Sequence, residues 1–439
     1  MKRLMVGLTL SIVSLPLAVL AETPDQILTD ALPEESQEQP HELVVDVEIP
    51  WAASVLTGTE QDGSILAAMS HAGDYFELWR VDNDRTTQFL EKHEDVGYHP
   101  DAIYWTDWRD NNGEEPVLLL VLEGAQEIQL WRWQEQQLEL ETAVPTLFPV
   151  RDVGIGDINN DGLTDLVVGT YDEDPLQVLI SHGDFTFDSL QLDVKGVALH
   201  PRLVDWDTDG DMDIVWSGYK NGLVRVALQK DGAMAVSAEE SDTDTTTSAS
   251  SPDTADSGGA TNTDTDAEEP PGVFEIQTLW PTDVERSDAR PRMVVAAELN
   301  GDDAPDLVVA TEVGGGAWIL YNDGEGKLAR KEKIPSKNRN KGFNWAAVDG
   351  RGEEALLALG SFEGVTLVRR EDNTWIRRLL AMDDMPIILD LQFVDVDADG
   401  HQDLVFAVPN RDQVRVVFGP LWERATPLDA SPESSADNS

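Results

Sequence analysis

From about residue 43 to residue 420, apolar residues come in short runs separated by turns rich in Asp, Asn, Gly and Pro. Runs of that length, bounded by turn signals, predict β-strands rather than helices. RDVGIG, DLVVG, LQVLIS and FDSLQLDV form one quartet, and the chain repeats it. AIYW, VLLLV, IQLWRW and LELETAV precede it, and MVVAAE, DLVVAT, AWILY and KLARKEKI follow. A four-strand unit recurring about every fifty residues predicts a propeller rather than a sandwich. Strands that open a repeat lie near Trp51, His99, Pro149, Pro201, Arg292, Phe343 and Pro386, which predicts seven blades. The last repeat has only three strands, ending in QVRVVFG at 413–419, and LVVDVEI at the start of the run supplies the fourth. The expected fold is all-β: a seven-bladed β-propeller of four-stranded blades over 43–420, closed by pairing the N-terminal strand with the last blade, so that no edge stays free.

The turns between first and second strands carry a recurring polar phrase. In GDINNDGLTDLVVG, Asp157, Asn159, Asp161 and Asp165 place oxygens at alternate positions, Gly162 permits a sharp turn, and Leu163 offers a carbonyl. Asp205, Asp207, Asp209 and Asp213 repeat the pattern with Asp211 in the carbonyl place; Asp395, Asp397, Asp399 and Asp403 repeat it with His401 there. Glu298, Asn300, Asp302 and Asp306 form a fourth copy in which Asp303 replaces the glycine. Oxygen donors at this spacing suit a hard divalent cation, and calcium is the expected cofactor. The last carboxylate comes at the ninth position and a strand follows, unlike the helical calcium loop. Weaker echoes near Gly58 to Asp62, Asp107 to Glu115 and Asp349 to Glu353 are expected to keep the turn and lose the metal.

This phrase resembles the FG-GAP and VCBS repeats of calcium-binding β-propellers, including the integrin α-subunit head, and Phe418, Gly419 and Pro420 resemble part of the motif that names the first. The resemblance implies a lower face carrying the metal loops and an opposite face that binds. On that opposite face it places Tyr98, His99, Arg151, His200, Arg202, Arg286, Arg290, Arg292, Lys337, Arg339 and Lys341, with Tyr171, Tyr219, Lys220, Phe362 and Arg411 from neighbouring turns. Arg151, His200, Arg202, Arg292, Tyr171, Tyr219 and Arg339 are the ligand-binding candidates, suited to carboxylates or sulfates of an acidic glycan or to an acidic protein segment. Arg151 and Arg292 each lie six residues before the first loop ligand, which equally suits a structural repeat position.

Composition changes the picture in three places. Lys2 and Arg3 before an apolar run ending at Ala21 predict a signal peptide at 1–21 and an exported, periplasmic or secreted protein. With no cysteine in the chain, disulfides are excluded as staples. A net charge of −53, from 84 acidic and 31 basic residues, makes nucleic acid and anionic membranes poor partners. Residues 22–42, the acidic insert 234–271 inside blade four, and 421–439 have too few bulky apolar groups to order themselves and are expected to be disordered.

The tryptophan phrases ELWRV and QLWRW lack the Gly-His and Trp-Asp pairs of WD repeats. Trp79, Trp131, Trp133, Trp216 and Trp318 are expected to wedge between blades. No nucleophile elbow, phosphate-cradling glycine loop or His-rich metal site occurs in the sequence. The expected function is therefore a monomeric, calcium-binding module for a protein or glycan, without a membrane span and without catalysis. The alternative is a propeller enzyme acting on polysaccharide, lyase-like, or on phospholipid, with His99 or His200 as base beside Tyr98 or Tyr219.

Overall fold

The computed structural model describes residues 40–58, 62–172, 175–194, 196–230, 273–280, 290–313, 315–336, 342–382, 384 and 386–428. The expected signal peptide, nearly all of the acidic leader, the insert at 234–271 and Arg339 lie outside them.

Among the described residues seven antiparallel sheets follow one another along the chain. Blade one holds Pro50–Leu56, Ser64–Ser70, Tyr75–Val81 and Thr87–His93; blade two holds Pro100–Asp110, Gly113–Leu122, Glu127–Gln134 and Gln137–Pro145. Blade three holds Asp152–Gly156, Asp165–Gly169, Leu176–Ser181 and Phe187–Leu192; blade four holds Leu199–Val204, Asp213–Gly218, Leu223–Gln229 and Phe274–Trp280. Blade five holds Pro291–Ala297, Asp306–Thr311, Gly316–Asn322 and Leu328–Pro335; blade six opens with Trp345–Asp349, Leu356–Ser361, Gly364–Glu371 and Thr374–Ala381. Blade seven is Leu389–Val394, Asp403–Val408 and Gln413–Val417, completed by Glu42–Asp46. The chain is a seven-bladed β-propeller.

The burial of each strand follows from its place in the blade. Second strands such as Ser64–Ser70, Asp165–Gly169 and Asp403–Val408 are buried at every position, because neighbouring blades cover both their faces, and so they read as unbroken apolar runs. Outermost strands such as Phe187–Leu192 are largely exposed and polar. Each core is shared by adjacent blades: Val167 and Val178 of blade three pack with Ile214 and Trp216 of blade four. Closure uses the same device. Val45 pairs with Val414 and packs, with Val405 and Phe418, against Ala53 and Leu66 of blade one.

All five wedge tryptophans sit in these interblade layers, Trp216 fully buried and Trp131 nearly so. The expectation of a disordered tail from residue 421 needs correction through residue 428. Leu421–Arg424 forms a helical turn, and Thr426–Pro427 adds a fifth strand to blade six. The cause is Trp422, whose ring is buried between the guanidinium groups of Arg369 and Arg378, at 4.2 and 4.5 Å from its centroid. Two of the degenerate turns also take definite forms. In blade two the strands run on to Asp110 and Gly113 as a long hairpin, whose Asn111 N–H donates to Gly183 O of blade three at 3.1 Å. In blade six the turn is a short 3-10 segment, Gly352–Glu354.

Because Trp216 fills the layer between blades three and four, Trp216→Ala should cost about 3–5 kcal/mol. Urea unfolding followed by tryptophan fluorescence and circular dichroism reads this directly, and a loss below about 1 kcal/mol would show that the layer does not depend on the ring.

Candidate functional site

The four loops share one hydrogen-bonding scheme. In each, the ninth-position aspartate is completely buried and accepts two backbone amides, one from inside the loop and one from the end of the third strand. Asp165 accepts Ile158 N–H at 3.0 Å and Ser181 N–H at 2.8 Å; Asp213 accepts Trp206 and Gln229 at 2.8 and 2.7 Å. Asp306 accepts Leu299 and Asn322 at 3.1 and 3.0 Å, and Asp403 accepts Val396 and Gly419 at 2.8 and 2.7 Å. The glycine of the Phe-Gly-Pro phrase thus donates to the blade seven loop. At the other end, the first carboxylate caps the turn: Asp157, Asp205 and Asp395 accept the N–H groups of Gly162, Gly210 and Gly400 at 2.7, 3.1 and 3.0 Å. Leu163, Asp211 and His401, expected to offer carbonyls, donate their own N–H groups to Asp161, Asp209 and Asp399 at 2.8, 2.9 and 2.8 Å.

The backbone explains why Asp303 can replace glycine. Every loop has two left-handed residues, at its fourth and sixth positions, with φ of 58° and 86° at Asn160 and Gly162 and of 82° and 67° at Gly301 and Asp303. The Glu298 loop has moved its glycine from the sixth position to the fourth. Its longer leading side chain caps Asn300 N–H at 2.8 Å and Gly301 N–H, two positions earlier in the turn than the aspartates do.

Two loops fit a divalent cation on their own geometry. Carboxylate oxygens of Asp205, Asp207 and Asp209 lie within 4.8 Å of one another, as do those of Asp395, Asp397 and Asp403. Oδ1 of Asp205, Asp207 and Asp397 is buried without a hydrogen-bond partner, a costly state for a carboxylate unless a cation meets it. Burial raises Asp213 and Asp403 to about 7 and Asp165 and Asp306 to about 6, against the pull of their amide donors. The other two loops are more nearly satisfied internally, since Asn159 and Asn300 donate to Asp161 and Asp302 at 2.9 and 2.8 Å. The blade seven loop also receives a fixed charge from blade one. Arg85 Nε donates to Asp397 at 2.6 Å and its NH2 to Asp399 at 3.1 Å, with the guanidinium over the Phe418 ring at 4.4 Å.

On the opposite face the inner strands converge on a cavity of about 250 Å³. Five of the seven inner strands open with a register shift against their neighbour, and a β-bulge re-aims the residue it carries. The bulged segments bring in Trp51, Asp101, His200, Arg292 and Asp390, and all five line the cavity. Blades three and six, whose inner strands pair regularly, contribute Asp152 and Trp345. Every blade therefore supplies at least one lining side chain. The bulges demand unusual backbone: φ is 50° at His200 and 47° at Asp390, left-handed values that bulky residues adopt under strain.

Asp152 organises the wall of the cavity. It is 1% exposed and accepts from Tyr104 Oη, from Arg202 at 3.0 Å, from its neighbour Val153 N–H at 2.8 Å, and from His200 Nδ1 at 2.5 Å. Burial works to raise its pKa, but Arg202 and His200 outweigh it and hold the carboxyl well below the usual range. Asp390 stands in the opposite situation. Burial lifts it to about 7; Ala53 N–H reaches its Oδ2 at 2.8 Å, and no described residue donates to its Oδ1. Asp101 also rises to about 7 by burial, although Arg151 holds it at 2.9 Å.

The structure sorts the expected binding residues. Arg151, His200, Arg292 and Tyr171 line the cavity, whereas Arg202 stands behind His200 in the Asp152 cluster. Arg151 is held by Asp101 and Glu123, each at 2.9 Å, and Arg202 by Asp152, so both serve buried or half-buried carboxylates. Tyr219 lies beside Tyr171, ring centroids 5.5 Å apart, and donates to Glu312. Lys220 pairs with Asp172 at 3.3 Å and Arg411 with Asp384 at 3.3 Å. Arg292 differs in one respect: its buried Nε lacks a partner, as that of Arg151 does, but among the described residues no carboxylate meets its guanidinium. Sequence reasoning missed Trp51, Tyr104, Asp101, Asp152, Trp345 and Asp390; the X-Pro pairs at Ile49, His99 and His200 were the available signal for the bulges.

Burial also holds His200 below its ordinary 6.5, although Asp152 pulls it up; Arg202 and Arg292 add to the depression. The folded chain takes up that proton less readily than the unfolded chain, so this residue removes stability as pH falls through 6.5 toward its folded value. His200→Gln should flatten the fall in urea midpoint between pH 7 and pH 5 relative to the natural chain, and an identical slope would exclude this role. Asp152→Ala should cost about 3–5 kcal/mol, because it leaves the half-buried Arg202 guanidinium, the buried His200 and Tyr104 Oη without their shared acceptor.

The FG-GAP-like repeat family matches residues 157–216, the segment from the blade three loop to the second strand of blade four. No curated protein matches the chain. Among solved structures, one titled "Crystal structure of BBS1N in complex with ARL6DN, soaked with lead" aligns with 13% identity and a TM-score of 0.48, over 86% of this chain and 94% of that one. Residues 157–216 thus match the FG-GAP-like repeat family, within a chain that folds as a seven-bladed β-propeller.

Proposed function

We propose that this chain is an exported, calcium-stabilised binding module whose working surface is the mouth of the central cavity, where it takes a protein segment or a glycan. The observation that carries the reading is the convergence of all seven blades on one cavity, five of them through bulges, with one cation, Arg292, that meets no carboxylate among the described residues. Bulges and strain concentrate where a fold serves a ligand rather than its own stability. Calcium belongs to the opposite face, where the Asp205 and Asp395 loops have the buried oxygens to hold it. Its role there is to fix the turns. Export is the reading that suits the apolar run ending at Ala21, and millimolar calcium outside the cell would suit such loops.

A second reading, catalysis on a polysaccharide or phospholipid in the same cavity, draws on the Asp152–His200 pair. With Nδ1 on the carboxylate, the ring's Nε2 is the nitrogen left to act as base. Release of a product from a glycan by the purified protein would favour it.

Two measurements test the binding reading. A melting-temperature panel of sugars, acidic peptides and phospholipid headgroups should yield a ligand that stabilises the natural chain and not Arg292→Gln; stabilisation of both alike would place the site elsewhere. Calcium at about 1 mM should add about 0.4 to 1.4 kcal/mol per occupied loop. The pair Asp205→Asn with Asp207→Asn should remove more of that gain than Asp397→Asn, since Arg85 already serves the latter loop. Equal melting in calcium and in excess EDTA would remove the metal from the account.

A further inference from the structure

We propose that the ligand of the central cavity is a hydroxylated carboxylate, one uronic acid residue of an acidic glycan; this rests on the binding reading above. The argument is chemical complementarity. The cavity offers one unpaired cation, Arg292, and two unfilled acceptors, Asp390 Oδ1 and His200 Nε2, among the described residues. A guanidinium without a carboxylate calls for an anion. The acceptors call for donors; an ionised acidic side chain has none, and the backbone N–H groups of a peptide would have to enter a cavity of about 250 Å³ to supply them. A sugar acid carries both: a carboxylate for Arg292 and hydroxyls for Asp390 and His200.

Shape agrees with chemistry. About 250 Å³ is below the usual 300–1,000 Å³ of ligand pockets and holds one ring rather than a peptide segment. Trp51 and Trp345 line the wall and supply apolar surface beside the polar groups. From Trp51 a file of rings leads outward: His71 stacked at 4.6 Å, His99 at 4.8 Å from His71, and Tyr98 stacked on His99 at 3.9 Å. Tyr98 is 61% exposed at the end of the file. Such a file provides a surface on which further sugar residues lie as the glycan leaves the cavity.

Calorimetric titration tests this on the full chain in calcium, with glucuronate, an oligogalacturonate, glucose and glutarate as probes. We expect glucuronate and the oligouronate to bind at least tenfold more tightly than glucose or glutarate, since each control lacks one half of the required chemistry. Arg292→Gln should lose tenfold or more and Arg292→Lys less, and Asp390→Asn should weaken the uronates without creating affinity for glutarate. Near-ultraviolet circular dichroism of each variant confirms that the cavity is intact, and Arg292→Lys remains informative where Arg292→Gln fails to fold. Tighter binding of the oligomer than of the free acid assigns the site to a glycan; equal binding overturns the ring file and keeps a free sugar acid. Glutarate binding as well as glucuronate, or unchanged affinity in Arg292→Gln, overturns the proposal. Binding of acidic peptides through Arg292 without binding of uronates overturns the ligand class alone, and a panel with no ligand sensitive to Arg292 overturns the binding reading with it.

Discussion

One buried carboxylate accepting two backbone amides is the interaction on which each well-formed blade depends. Asp165, Asp213, Asp306 and Asp403 each tie the start of a loop to the far end of the third strand, so that three strands and a turn are fixed by a single side chain. Both carboxylate oxygens are used in the same way in all four: Oδ2 takes the loop amide and Oδ1 the amide at the end of the third strand. Adjacent blades are then laced to that turn from outside. Gln229 donates to Ile158 O at 3.2 Å, Ser64 to Val396 O at 2.7 Å, and Asn322 to Trp206 O at 2.5 Å. The loop face is therefore a continuous polar belt in these sectors, and a cation in a loop would strengthen a scheme that the side chains already define.

What the sequence made legible was local or repeated. The apolar runs, the ninth-position aspartates and the three-stranded last repeat each lie within one blade's length, so the blade count and the closure by Glu42–Asp46 could be read directly. The cavity could not. Asp101, Asp152 and Asp390 are three among 84 acidic residues, and nothing local marks them as buried. Their partners come from other blades: Arg202 stands fifty positions from Asp152, and Ala53 stands 337 from Asp390. Arg85 reaches the blade seven loop across a separation of 312. Bulges too are a matter of register between strands, which composition does not carry.

The scarcity of basic residues sharpens the meaning of their positions. Most arginines on the cavity side are consumed by the fold: Arg151 by Asp101 and Glu123, Arg202 by Asp152, Arg415 by Asp384. Burying those carboxylates would be unfavourable without them. Arg151 and Arg292 occupy the same repeat position and line the same cavity, yet among the described residues only the first has a carboxylate to hold. Repeat position accounts for both side chains lining the cavity; it does not account for the lack of a carboxylate at Arg292 among the described residues.

The two faces are mechanically joined by the inner strands themselves. Asp152–Gly156 begins at the cavity and ends beside Asp157; Leu199–Val204 runs from the segment bearing His200 to Asp205; Leu389–Val394 runs from that bearing Asp390 to Asp395. A strand of five or six residues spans roughly 17–20 Å and is stiff along its length when both neighbours hold it. His200 and Asp390 hold left-handed backbone, which persists where the surrounding structure over-determines it. The pins at the far end are the loop carboxylates, with whatever cation they hold. In blades four and seven a left-handed cavity residue and a loop with buried, unpartnered oxygens therefore share one strand.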